Sequence, residues 1–372
     1  MRISLHRQLL VRYPSRPGSR IIPELRYNHN MKSILITGGA GFIGINAAER
    51  FISTGWKVTI VDNLSRLGAD LNLAWLKSKY TEVDFLKIDI RDYDQITDAI
   101  SKAKPDVLLH LASQVAVTKS FLNPLNDFGV NALGTLNILE ALRLTSQNTH
   151  LIYASTNKVY GDLKGIDLIE NIKRYVPKEI QTGINEKQTL DFHSPYGCSK
   201  GAADQYVLDY GRNFDLQTTV LRQSCIYGPR QFGVEDQGWV AWFIIATLLE
   251  QDITVFGNGK QVRDLLHVSD LIDLYETLIS RPRIENRVFN VGGGEINTLS
   301  LIELIDLLGV NFGHNPRIRF ASERLGDQKY FVSDNKLLSD IGWEPQIGLS
   351  KGITDLFAWI SENLKMIRIM HK

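Results

Sequence analysis

From Met31 to Asp62 the chain reads MKSILITGGAGFIGINAAERFISTGWKVTIVD, and this stretch constrains the fold more than any other. Ile34 to Thr37 is a short apolar run of the kind that forms a buried parallel strand. It stops at Gly38, Gly41 and Gly44, three glycines spaced three apart. A helical pattern follows, with Ile45, Ala48, Phe51 and Ile52 on one face, and a second apolar run, Val58 to Val61, ends in Asp62. Each piece has a physical task in a dinucleotide site. The first glycine allows a tight turn, the second lets backbone approach a pyrophosphate, and the third lets helix and strand pack closely. The helix N-terminus presents unpaired N–H groups and a positive dipole end to the phosphates. Asp62 suits ribose hydroxyls and repels a 2′-phosphate, which predicts NAD over NADP.

Apolar runs then alternate with helical patterns, which predicts an α/β fold: a Rossmann-like, doubly wound parallel sheet with a smaller C-terminal α/β substrate lobe. The expected strands are residues 34–37, 58–62, 84–88, 106–111, 150–154 and 218–222. The expected division is an NAD-binding part over 31–224 and a lobe over 225–365, some of whose segments return to the first part. The chain has 372 residues, of which 44% are hydrophobic, ordinary for a globular enzyme. Its longest nearly uncharged apolar run, Gly238 to Leu249, is too short to span a bilayer. Cys198 and Cys225 form neither a disulfide framework nor a metal-ligand spacing, so no metal is expected and a cytoplasmic setting fits. Six arginines and one acid, Glu24, fall in residues 1–30; without them the net charge of +1 becomes −4, and the body carries no nucleic-acid signature. The Arg-rich start reads either as a transit-type leader or, more plainly, as sequence ahead of a true start at Met31, disordered in either case.

Two later segments carry the chemistry. Tyr153 to Gly161 ends the fifth expected strand with hydroxyls at its tip, and Ser194-Pro195-Tyr196-Gly197-Cys198-Ser199-Lys200 places Tyr-x-x-x-Lys at the start of a helix. Four residues apart, Tyr196 and Lys200 share a helix face, and a nearby ammonium is expected to lower the tyrosine pKa toward working pH. Tyr196 is then the proton acceptor and Thr156 the group that orders the reacting hydroxyl. His110, alone in an apolar setting, reads as packed and hydrogen-bonded. The aromatic run Asp236 to Phe243 either stacks a base or packs. Residues 162–194 form a long insertion beside the site, and such loops tend to be functional.

The glycine spacing and the Tyr-x-x-x-Lys pair resemble the extended short-chain dehydrogenase/reductase (NAD-dependent epimerase/dehydratase) family. Longer strings resemble one branch of it, the CDP-tyvelose epimerases: Ser155 to Leu163, Leu190 to Tyr206, and Asp236-Gln237-Gly238-Trp239. The resemblance implies further cofactor contacts from Phe42, Ile43, Asn63, Ser65, Asp89, Ile90, Leu111, Ala112 and Asn131, with Lys200 on the nicotinamide ribose. For Asp89 a helix cap, and for Asn131 a structural amide, are the alternatives. It implies a polar loop over Gln114 to Ser120 facing the sugar, with Gln114, Thr118 and Lys119 as contacts. It also implies Asn157, Arg230, Arg263 and Arg324 on the substrate, the last two on a diphosphate with Asp327 orienting Arg324. Dehydratases of the family follow the threonine with Asp-Glu, and sugar-acid decarboxylases keep a Glu. Asn157 and Lys158 stand here, which leaves oxidation and reduction of a hydroxyl, hence epimerisation. Cys225 stands where many 4-epimerases have asparagine. The implied reaction is CDP-paratose to CDP-tyvelose at C2, in lipopolysaccharide O-antigen biosynthesis, by a homodimer or higher homo-oligomer. Two other readings stay open: a 4-epimerase or dehydrogenase acting on a UDP- or GDP-sugar, and a non-catalytic NAD-binding protein.

Overall fold

Strand β1 (Ser33–Thr37) is central because its side chains are apolar on both faces. Leu35 joins one core with Leu108, Leu151 and Val220, while Ile34 and Ile36 join the other with Val107, Leu109, Ile152 and Leu221. This alternation between two covered faces is what a buried parallel strand requires. In this computed structural model, residues 32–371 are described except 82, 180–182, 282–286 and 314–315. The expectation for residues 1–30 falls outside the described residues.

The main sheet has seven strands: β1, β2 (Lys57–Val61), β3 (Asp84–Leu86), β4 (Val107–His110), β5 (His150–Thr156), β6 (Gln217–Gln223) and β7 (Arg287–Val291). Their order across the sheet is β7-β6-β5-β4-β1-β2-β3, and every pairing is parallel. The order of strand addition therefore reverses between β1 and β4, and a crevice opens at the carboxyl ends of those parallel strands. Six strands match the expected runs. The seventh, β7, comes from the stretch assigned to the second lobe; its run Arg287-Val288-Phe289-Asn290-Val291 is too short and mixed to announce itself.

Helix α1 (Phe42–Ser53) covers one face of the sheet through Ile45, Ala48 and Phe51. Helix α2 (Ser194–Asn213) covers the other through Ala203, Val207 and Leu208. Further helices, among them Ala69–Lys79, Tyr93–Ala103, Gly134–Thr145 and Val268–Ser280, also pack on the sheet, and a second layer forms around the strands Asp252–Phe256 and Val262–His267. Its core gathers Val240, Ile244, Ile245, Val255, Leu265, Leu304, Leu356 and Ile360. The run Trp239–Leu248 is a helix with seven buried residues in that core, which is why it is apolar on nearly every side.

None of the described residues of the insertion 162–194 lines the crevice. The insertion forms a hairpin, Leu168–Glu170 against Tyr175–Pro177, that docks on the second layer. Arg174 bonds Glu303 at 2.6 Å, Lys173 bonds Asp306 at 2.8 Å, and Asn290 N–H donates to Glu186 at 2.6 Å. The insertion thus ties the lobe to the start of α2.

Candidate active site

A cleft of about 720 Å³ runs along the carboxyl ends of the strands and continues between sheet and lobe. That is the size of a ligand site, ~300–1,000 Å³. Its cofactor-side wall is the glycine turn. Gly38 has φ +70°, and a Cβ there would lie 2.6 Å from the Ala112 amide nitrogen; at Gly44 it would meet the Gly38 carbonyl oxygen at 2.3 Å. Only glycine lets the turn, β4 and α1 approach this closely. Gly41 caps α1 without a side-chain bond, so the first-turn N–H groups remain available to an anion. The Asp62 carboxylate ends β2 and accepts from Ala40 N–H at 3.1 Å and Leu64 N–H at 2.8 Å; burial raises its pKa. These residues fit a dinucleotide. Phe42, Ile43, Asn63, Ser65, Asp89, Ile90, Leu111 and Ala112 line the same wall.

Asp89 is held by Arg91 at 2.7 Å and by Asn63 at 3.0 Å, and the Arg91 guanidinium depresses its pKa to about 2. The helix cap considered for it is supplied instead by Asp92, which accepts from Gln95 N–H. Asn131 lies outside the lining. It is 1% exposed in a π-helical turn, where its amide takes Gln114 N–H at 2.9 Å and Ser113 Oγ at 2.7 Å and donates to Ser199 Oγ at 3.1 Å. Its work is to hold the 113–114 backbone against α2. His110 is also structural: its ring bonds Thr37 and Thr135, and burial lowers its pKa to about 3.

At the centre of the cleft stand Thr156, Tyr196 and Lys200, delivered by the tip of β5 and the first turns of α2. The expected lowering of the tyrosine pKa is absent. Burial raises Tyr196 to about 12, and a hydrogen bond with Thr156 only partly opposes it. The reason is the path of Lys200. Its Nζ donates to the Ala154 carbonyl at 2.5 Å and sits 4.3 Å from the Tyr153 ring centroid, not against the Tyr196 hydroxyl. Burial lowers Lys200 itself to about 7, with Asp204 and Asp127 acting the other way.

On the substrate side, the segment expected as a loop contains a helix, Val117–Leu122, because Ala116 to Leu122 can close i→i−4 bonds without a breaker. Gln114, Thr118 and Lys119 line the cleft, and Thr118 Oγ1 is buried without a protein partner. Asn157 donates to Gln328 at 3.2 Å. Arg230 lies 3.1 Å over the Trp75 ring. Arg263 and Arg324 both reach the cleft, but Asp327 pairs with Arg263 at 2.8 Å rather than orienting Arg324. Arg324 stacks 3.7 Å over Phe256 and donates to the Glu235 carbonyl at 3.3 Å. In the aromatic run Trp239 packs edge-on against Phe243, and Trp239, Trp242 and Phe243 line the cleft. Cys225 accepts from Trp239 Nε1 at 3.4 Å, and burial raises its thiol pKa, which leaves it a poor nucleophile.

Sequence reasoning passed over Arg66 and Lys158. Arg66 sits four residues after Asp62 and reaches across the cleft to Gln237. Lys158 stands where the family's dehydratases carry an acid, and a lysine two residues after Thr156 lies on the cleft wall.

A dinucleotide turn, an acid on the second strand, and a Tyr–Lys pair beside a threonine define an enzyme that moves hydride to or from a substrate hydroxyl. The comparisons make the class specific. Residues 34–292 match the model of the NAD dependent epimerase/dehydratase family. The chain belongs to that family and uses NAD. It is 46% identical over 335 residues to a CDP-paratose 2-epimerase of Salmonella typhi, covering 88% of this chain and 99% of that one. It is 30% identical over 330 residues to a putative UDP-glucose 4-epimerase of Methanocaldococcus jannaschii, covering 89% and 99%. Among solved structures, the Thermus thermophilus UDP-glucose 4-epimerase complex with NAD superposes with TM-score 0.75 at 30% identity, over 88% of this chain and 99% of that one.

Proposed function

We propose that this enzyme epimerises CDP-paratose to CDP-tyvelose at C2. The observation that carries the reading is the strand tip Thr156-Asn157-Lys158 facing Tyr196, together with the 46% identity to the Salmonella enzyme over most of both chains. The tip has a hydroxyl to order a sugar alcohol and no carboxylate to expel water. NAD bound along the glycine turn supplies a hydride acceptor, and afterwards the donor. Tyr196 accepts the proton of the sugar 2-hydroxyl, with Thr156 holding that hydroxyl in line. Lys200 fits the nicotinamide ribose. The planar sugar ketone turns within the cleft, and Tyr196 returns a proton when the opposite face is reduced. The cofactor ends as it began, so no net redox change occurs.

Proton NMR of the purified protein with CDP-paratose and no added cofactor tests this. CDP-tyvelose should appear. No conversion even with NAD added would end the CDP-paratose reading and move the search to UDP- and GDP-sugars.

Among the described residues no helix is long and apolar enough to cross a membrane. We propose a cytoplasmic homodimer, serving O-antigen synthesis. Supporting the dimer, Leu122 and Leu125 are each 85% exposed and Phe128 55%, on adjoining short helices beside α2. Sedimentation velocity should give twice the 42.1 kDa chain mass; a monomer at micromolar concentration would rule this out.

A further inference from the structure

We propose that Lys158 is a substrate-binding residue whose ammonium takes the sugar-side phosphate of the nucleoside diphosphate sugar, and so decides which ring carbon reaches Thr156 and Tyr196. This deepens the function proposed above and rests on it.

The position is unusual. Lys158 is the second residue of the single-turn helix Asn157–Tyr160, and its own N–H donates to Thr156 Oγ1 at 3.2 Å. Its side chain, 18% exposed, runs into the cleft. There Nζ donates to the Gly326 carbonyl at 3.0 Å and lies 3.6 Å from Asp327. Asp327 is already committed to Arg263 at 2.8 Å, so two cations share one carboxylate and the cluster has positive charge to spare. An ammonium has three N–H donors. Gly326 uses one and Asp327 stands at a long distance for a second, so at least one remains for a ligand. Cys225, a neutral thiol, and Arg263 complete the charged and titratable groups facing it.

A simple structural tie would not need this location. The diphosphate side of the cleft is marked by Arg263 and Arg324, and the reacting side by Thr156 and Tyr196; Lys158 bridges the two. In a glycosyl diphosphate the phosphorus joins C1 through one oxygen. C2 is the ring carbon next to C1, whereas C4 lies across the ring. A cation only two residues from the reacting threonine draws that phosphate toward the reacting groups. Such a placement brings C2, the carbon next to C1, nearer the reacting groups than C4.

The test is calorimetric titration of the NAD-loaded enzyme with CDP and with CMP. For Lys158→Met, CDP affinity should fall about tenfold to a hundredfold, the size of a lost charged hydrogen bond. CMP, which lacks the outer phosphate, should change by less than about threefold. Equal weakening of both, or of neither, overturns the proposal. Lys158→Arg keeps the charge and gives a second arm. Burial lowers the Lys158 pKa to about 8. Wild-type CDP affinity should therefore be full below that pH and decline above it, while Lys158→Arg should show no such decline. Matching pH profiles in the two proteins would also overturn it, even if Lys158→Met fails to fold. If the wild type binds UDP and UMP instead, the cytidine reading fails, while the diphosphate-to-monophosphate ratio still judges Lys158. A wild type that binds neither diphosphate overturns both.

Discussion

Replacing Tyr196 by phenylalanine should leave the protein folded and NAD-loaded while lowering turnover by about a hundredfold to ten-thousandfold, the range for loss of a general acid–base group. The ring is 7% exposed, and phenylalanine keeps its packing. What is lost is the proton carrier beside Thr156. The high pKa of the buried phenol, about 12, adds a sign. At neutral pH the phenol is almost wholly protonated, so the base form grows as pH rises, and wild-type kcat/KM should climb with pH on the alkaline side. The variant should lack that climb. Near-normal turnover by Tyr196→Phe, with NAD content unchanged, would remove Tyr196 as the acid–base group.

The largest stability effect is expected at Asp204→Ala. Asp204 is wholly buried on α2 and bonds Arg222 of β6 through both carboxylate oxygens, at 2.9 and 3.0 Å. It also accepts from Ser155 Oγ at 2.7 Å. Removing it strands a guanidinium that is 4% exposed, with the Tyr160 hydroxyl at 3.0 Å as its remaining partner. Breaking a buried pair from one side costs ~3–5 kcal/mol. Urea unfolding at fixed NAD concentration should show that loss, because bound cofactor itself shifts the midpoint. A midpoint within experimental error of wild type would mean water or another group solvates Arg222. The same ion pair joins the catalytic helix to the strand beside β5, so destabilisation there should also loosen Lys200, whose charge Asp204 supports.

Much of the cofactor half was legible because its physics is local. A strand, a glycine turn, a helix and an acid occupy consecutive residues, Ile34 to Asp62, and each demand is met by a neighbour in sequence. Thr156, Tyr196 and Lys200 were legible for the same reason, since strand tip and helix start impose their spacing. Residues that act across the chain were not. Asp327 stands three residues after Arg324, yet it pairs with Arg263, sixty-four residues away, because a strand pairing brings them together. Asn131 carries the right residue type and faces the catalytic helix rather than the cleft.

The order of residues by itself therefore determined the parallel sheet, the dinucleotide turn and the meeting of Thr156, Tyr196 and Lys200 in the cleft, because period-2 burial, glycine geometry and helix spacing act over a few residues. Tertiary structure alone decided the protonation of Tyr196, the partner of each arginine, the docking of the 162–194 insertion and the place of Lys158. Those depend on burial and on charges from distant segments, and neither is set until the sheet and the second layer have closed on each other.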